Sequence, residues 1–326
     1  MAIHLFIDTN VYLKFYHFSN DDLEELSKLQ VLLDNDKLEL YLPEQVINEF
    51  YRNRDNKLAD ALKNFNQSKL STQLPQFCKE YKEYENLKKL MRDFDQEKSQ
   101  LLKNVMLAIE TNSLLADKII DLLFEKANQI SITSELVEKG KLRFDLGNPP
   151  GKNKSYGDAI NWESLLAAVE DDNDLYFIAD DKDFFSEINN SKFNDYLNNE
   201  WSRKKGSKIK FYKTLSDFFK DVFPDIKLAT ELEKEILVSQ LEGSPNFYTS
   251  RQLLTKLSKF DEFSSEQVNQ IVKTSLENTQ IFWISQDPDI NEYLHKFVKH
   301  SKDKIETSLL NDFYNSVPEL EDDLPF

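Results

Sequence analysis

What the chain has little of narrows its chemistry first. Cysteine occurs once, at Cys78, so no intramolecular disulfide can form and there is no thiolate cluster for zinc or an iron–sulfur centre. Six glycines in 326 residues, with neither a GxxxxGK[ST] nor a GxGxxG, disfavour the loops that cradle nucleotide phosphates. The four histidines are scattered; His295 and His300 share no helical face and are expected at the surface. There is no secretory h-region and no run of about 18 apolar residues, which points to a soluble, cytoplasmic chain without a membrane partner. Positive charge is also short. Lys and Arg number 41 against 58 Asp and Glu, a formal charge of −17, so broad electrostatic attraction to nucleic acid is excluded and any such partner must be met by local basic patches or metal ions.

What is present suffices for a sizeable core: 40% hydrophobic residues, with 24 Phe and 13 Tyr. The length points to two domains, or to one with a large insertion. Ile3 to Ile7 reads as a buried strand that ends abruptly at Asp8-Thr9-Asn10. Leucines at 23, 26, 29 and 33 predict a helix, LELYL (38–42) a second strand, and PEQVINEFYRNR a helix with Pro43 in its first turn. From about 56 to 139 the absence of Gly and the Leu spacing predict a long helical insertion, broken near Thr111-Asn112-Ser113. Gly140, Gly147, Gly151 and Gly157, with Pro149-Pro150, then predict a long irregular loop. A helix over 158–169, a strand running into Asp180 to Asp183, and a strand KIKFY (208–212) followed by a helix complete a domain of residues 1–225. Residues 226–326 read as a helical C-terminal domain with an acidic tail, with helix starts at Thr249 to Gln252, Ser264 to Gln267 and Asp287-Pro288.

Strands alternating with helices predict an α/β fold with a parallel sheet, and ligands of such sheets collect at the carboxyl ends of the strands. Acids recur there: Asp8 after the first strand, Glu49 on the helix after the second, Asp158 opening a helix, and Asp180, Asp181 and Asp183 after the last long strand. Each alone reads as a cap, a turn or a solvated residue. Together, and without His or Arg partners, they would repel one another unless a hard cation neutralised them, and Mg²⁺ or Mn²⁺ suits an all-oxygen donor set. Such an ion activates water against a phosphodiester without needing His or Cys.

The series FIDTNVYLKFY, LPEQVINEF, YGDAINWESLL and FIADDKDF resembles, in order, the motifs of the PIN-domain nucleases, over residues 1 to about 55 and 141 to about 220. The resemblance implies a three-layer α/β/α fold with a central parallel sheet, a large helical insertion and a helical C-terminal extension. It implies Asp8, Glu49, Asp158 and Asp181 as the metal-binding acids, Asp180 and Asp183 as auxiliary, and Thr9 and Asn10 as orienting the first carboxylate. Asp181 is preferred over Asp180 because DxDF fits Asp181 to Phe184, while Ala179 stands where the family commonly has Thr or Ser. The implied activity is cleavage of RNA, or of single-stranded or structured DNA, leaving a 3′-hydroxyl and a 5′-phosphate. A phage-defence or toxin role would suit such a family.

Two stretches offer phosphate contacts: RKKGSKIKFYK (203–213), with Arg203, Lys204, Lys205 and Lys208, and the loop carrying Lys141, Arg143, Lys152 and Lys154, with Tyr156 or Tyr212 available to stack on a base. A haloacid dehalogenase-type phosphatase also opens with a strand ending in Asp, but needs a second Asp two positions on, where this chain has Asn10. The remaining alternative is an inactive PIN-like scaffold that binds nucleic acid or protein, its C-terminal helices serving as a homo-oligomer or partner contact.

Overall fold

The computed structural model describes residues 2–16, 23–67, 74–151, 156–224, 226 and 228–320. The opening apolar run forms β1 (Ile3–Ile7), followed by α1 (Thr9–Lys14) and α2 (Leu23–Asp34). Next come β2 (Leu38–Pro43), α3 (Glu44–Gln67), α4 (Lys82–Glu110), α5 (Leu115–Lys126) and β3 (Asn128–Ile130). Then follow α6 (Ser134–Asp145), α7 (Gly157–Ala168), β4 (Leu175–Ile178), α8 (Asp195–Lys205), β5 (Ile209–Tyr212) and α9 (Leu215–Val222).

All five strands are parallel, in the order β3-β2-β1-β4-β5. The chain runs outward from β1 to β3, then returns to the other side of β1, so the strand order reverses between β1 and β4. Parallel neighbours require crossover connections, here helical, and these cover both faces. Accordingly α2 packs with α5 and α9, and α7 with α6 and α8. The central strands are covered on both sides, which is why they read as unbroken apolar runs: Leu5, Phe6, Ile7, Leu175, Phe177 and Ile178 are all buried. The result is the three-layer α/β/α arrangement expected.

Local structure departs from the sequence reading at four places. Pro43 is the last residue of β2, paired with Ile130, and α3 begins only after it. The stretch 56–139 is not insertion throughout, because α5 packs against α2 and β3 is an edge strand of the sheet. With one apolar residue in three, NQI carries no strand pattern of its own. The supposed loop from 140 is helical as far as Asp145; Gly140 lies where α6 crosses α7, and a Cβ there would stand 2.8 Å from Ile160 Cγ1. That glycine permits close helix approach, not a turn. Finally, α3 runs on for 24 residues, well past the sheet. It is clamped part-way by Arg54, whose Nε lies 2.8 Å from Asp117 Oδ1 on α5, while the Tyr16 hydroxyl donates to the same carboxylate.

The chain divides into two compact units, Met1–Asp225 and Ile226–Phe326. The second comprises α10 (Ala229–Glu242), α11 (Phe247–Leu257), α12 (Ser265–Glu277), α13 (Thr279–Ile284), α14 (Pro288–His300) and α15 (Thr307–Ser316). Its own core includes Leu241, Leu257, Ile271, Ile281, Val298 and Phe313. The Ser264–Gln267 capping box is formed, whereas α11 is capped by Asn246 and starts before Thr249. His295 is buried, not exposed, with Nε2 3.0 Å from the Val317 carbonyl. Residues 321–326 of the acidic tail lie outside the described residues. No helix among the described residues is long and apolar enough to cross a membrane.

Candidate active site

Asp8 follows the last residue of β1, and its backbone N–H still bonds to the Ile178 carbonyl of β4 at 2.9 Å. Its carboxylate therefore sits at the carboxyl edge of the sheet, beside the point where the strand order reverses. It caps α1, accepting from the Asn10 backbone N–H at 3.4 Å. The orienting group is thus the Asn10 main chain; the Asn10 side chain is exposed and the Thr9 hydroxyl has no hydrogen-bond partner.

Glu49 is carried in by the second turn of α3, which starts directly at the end of β2 and buries Val46 and Phe50 on either side of it. Asp158 is the second residue of α7. It is not the cap, a position held by Tyr156 without any side-chain bond, and it lies in the first turn, where the helix dipole favours a carboxylate. Beyond β4, Asp181 Oδ1 accepts from the Asp183 N–H at 3.0 Å, closing a turn. Asp183 is buried and accepts from the Gly151 N–H at 3.0 Å. Gly151 holds φ at +122°, a conformation that favours glycine. Asp180 turns the other way and pairs with Lys14.

The carboxylates feel one another. Burial, then the charges of Glu49 and Asp181, push Asp8 up to about 7, against the opposing N–H groups of Asn10 and Thr9. Asp158 is raised to about 8 by burial, then by Asp8, Asp181, Glu49 and Asp183. Glu49 is raised by burial and by Asp181, with Arg52 opposing. Four elements that are distant in sequence therefore bring negative charge to one sheet edge. Among the described residues, however, no three His, Cys, Asp or Glu side chains converge on a single ion position. The donor chemistry still fits a hard cation, because Mg²⁺ is ordinarily held by one or two carboxylates and keeps several waters.

A family profile described as PIN domain matches residues 5–184, from β1 to just beyond the Asp181–Asp183 turn. The chain belongs to the PIN-domain family. No curated protein and no solved structure matches it. PIN domains are generally nucleases and usually use divalent metal ions, so the coarse class is a hydrolase acting on nucleic acid.

Four of the basic residues offered by the sequence as phosphate contacts lie away from the acids of this PIN domain. Arg203, Lys204 and Lys205 end α8, and Lys208 precedes β5, which places them at the amino edge of the parallel sheet, opposite the acids. A four-residue strand separates the two edges by roughly 13 Å. Lys205 is moreover buried, its Nζ 2.5 Å from the Val169 carbonyl and 3.1 Å from Asp171, and Lys204 bonds Glu200 at 2.9 Å. Proximity in sequence hid which end of the strand these residues occupy. Arg143 is a buried structural cation on Glu163, Glu200 and the Pro149 carbonyl. Lys152 and Lys154 lie outside the described residues. The Tyr212 hydroxyl is engaged by Asp221 at 2.6 Å. At the acidic edge the cations are instead Lys14, Arg52, exposed Lys182, and Lys213, which lies 4.5 Å from the Phe185 ring.

Besides Thr9, which the sequence had singled out, two polar side chains near the acids, Tyr12 and Asn161, had not been. Thr9 Oγ1, the Tyr12 hydroxyl and both amide atoms of Asn161 are buried and lack a partner among the described residues. Of the two that the sequence had not singled out, only Asn161 could have been noticed, as the one amide in the otherwise apolar run AINW, three residues after Asp158.

Proposed function

We propose that this PIN domain is a Mg²⁺- or Mn²⁺-dependent nuclease that hydrolyses phosphodiester bonds of RNA, or of single-stranded or structured DNA. The observation that carries this reading is the mutual charge coupling of Asp8, Glu49, Asp158 and Asp181 at the strand-order reversal of a parallel sheet. Of these four carboxylates one or two would hold the ion directly and the others through its waters, with Asp183 and Asp180 auxiliary. When bound, a hard divalent ion offsets the carboxylate charge and supplies Lewis-acid assistance to phosphodiester hydrolysis.

The protein groups have separate tasks. The Asn10 N–H orients the Asp8 carboxylate, and the Asp183 N–H holds Asp181 Oδ1 in the turn after β4. Asp183 holds the Gly151 backbone N–H. Lys182 and Lys213 are the candidate phosphate contacts, replacing the strip at the opposite edge. In the reaction, water adds to phosphorus, the bond to the 3′ oxygen breaks, and that oxygen leaves as a hydroxyl.

The test is a panel of labelled single- and double-stranded RNA and DNA with Mg²⁺, Mn²⁺ or chelator. Cleavage should require the ion. Asp8→Asn and Asp181→Asn should each lose more than the roughly 10- to 100-fold that loss of an outer-sphere group costs. Variants that cut as well as the parent overturn the site, and a parent that binds ion and nucleic acid without cutting leaves the scaffold reading.

A further inference from the structure

Asn161 sits one turn along α7 from Asp158, on the same side of the helix, and is 1% exposed. Neither Nδ2 nor Oδ1 has a hydrogen-bond partner among the described residues. Its helical neighbours are satisfied by ordinary means: Ile160 packs against Gly140, Trp162 Nε1 donates to Glu200 at 2.9 Å, and the Ser164 hydroxyl donates to the Ile160 carbonyl. A buried amide without partners costs on the order of 1–3 kcal/mol, and an apolar side chain of equal size would remove that cost. The position therefore spends stability with no return inside α7.

The same holds at Asp8. Thr9 Oγ1 is buried and unpartnered in the adjoining residue, and the Tyr12 hydroxyl, also buried and unpartnered, lies close enough to feel the Asp8 charge. Orphaned groups thus flank the two acids, Asp8 and Asp158, whose charges couple directly. Buried polar groups in folded proteins are nearly always bonded, if not to protein then to ordered water, and an internal water needs two to four polar partners. The two amide atoms of Asn161 supply two of them.

We propose that Asn161 is a positioning residue of the acidic site, acting through an internal water that its amide holds beneath the carboxylate layer and that fixes Asp158 for the bound ion. This rests on the metal-dependent reading above, but its test does not require cleavage. In Asn161→Leu the orphaned amide is replaced by an apolar group of similar volume. Thermal stability is expected to stay level or rise, while Mn²⁺ affinity, measured calorimetrically on the full chain, falls about 10-fold or more, as outer-sphere losses do. Nuclease kcat should fall with it while KM for the nucleic acid changes little. Asn161→Ser, which keeps a hydroxyl and leaves room for a second water, should recover part of the affinity that Asn161→Ala loses. An Asn161→Leu variant that binds Mn²⁺ as the parent does overturns the proposal, as does equal affinity in the Ser and Ala variants should Leu not fold. If the parent binds Mn²⁺ but cuts nothing, the nuclease reading fails and the role of Asn161 is still decided by affinity. A parent that binds no Mn²⁺ overturns both.

Discussion

Burial and charge pull Asp8 in the same direction, and Asp158 shares its position. Both hold their protons near neutral pH, at about 7 and about 8, against an ordinary carboxyl value of 3.8. The folded chain therefore binds these protons more tightly than the unfolded chain. The stability this provides is complete below about pH 4 and is lost as pH rises through 7 to 8. In chelator, the melting temperature is expected to fall as pH rises from about 4 to about 8 and to level off above that, with the gain from added Mg²⁺ largest at the upper end. Asp8→Asn removes one of the two groups and should flatten the fall; an unchanged slope in scanning calorimetry would contradict the coupling. At this scale the sequence was informative in kind. It showed four acids at strand and helix ends, but not that Asp180 would be spent on Lys14, or that the Asn10 main chain would do what its side chain suggested.

Among the elements, those that are apolar and buried on both faces, β1 and β4, were legible because burial writes itself into composition. Two features were not. β3 is short and at the sheet edge, so little burial marks it, and α6 hides behind a glycine. Gly140 reads as a turn residue, yet it sits in a helix because Ile160 leaves no room for a Cβ. Gly to Ala in a helix ordinarily gains about 1 kcal/mol from propensity. Here Gly140→Ala should instead destabilise, by about 1–3 kcal/mol, since Ile160 and its backbone nitrogen stand 2.8 and 3.1 Å from the new methyl. Urea unfolding measures it, and a stabilised variant would show that α6 and α7 can separate without cost. Because α7 carries Asp158, cleavage should fall along with stability.

For the whole molecule, a charge of −17 sets a background against which any polyanion must be bound locally. Composition could locate basic runs but not the sheet edge on which they fall, since a strand reverses that assignment within four residues. The corrected placement makes a differential prediction. Lys182→Gln with Lys213→Gln should lower the slope of log affinity against log salt by about one for each contact removed, and Lys208→Gln should leave it unchanged. A slope that responds to Lys208 and not to the pair would return the interface to the opposite edge. The clamp between Arg54 and Asp117 has a mechanical side as well. Were α3 to tilt as a rigid rod about Arg54, Glu49 would lie about 7 Å to one side of the pivot and Gln67 about 20 Å to the other. The helix is thus a lever with unequal arms: a 3 Å sway of its outer end corresponds to about 1 Å at the Glu49 turn. Anything that grips the insertion therefore has a geared hold on one of the four acids.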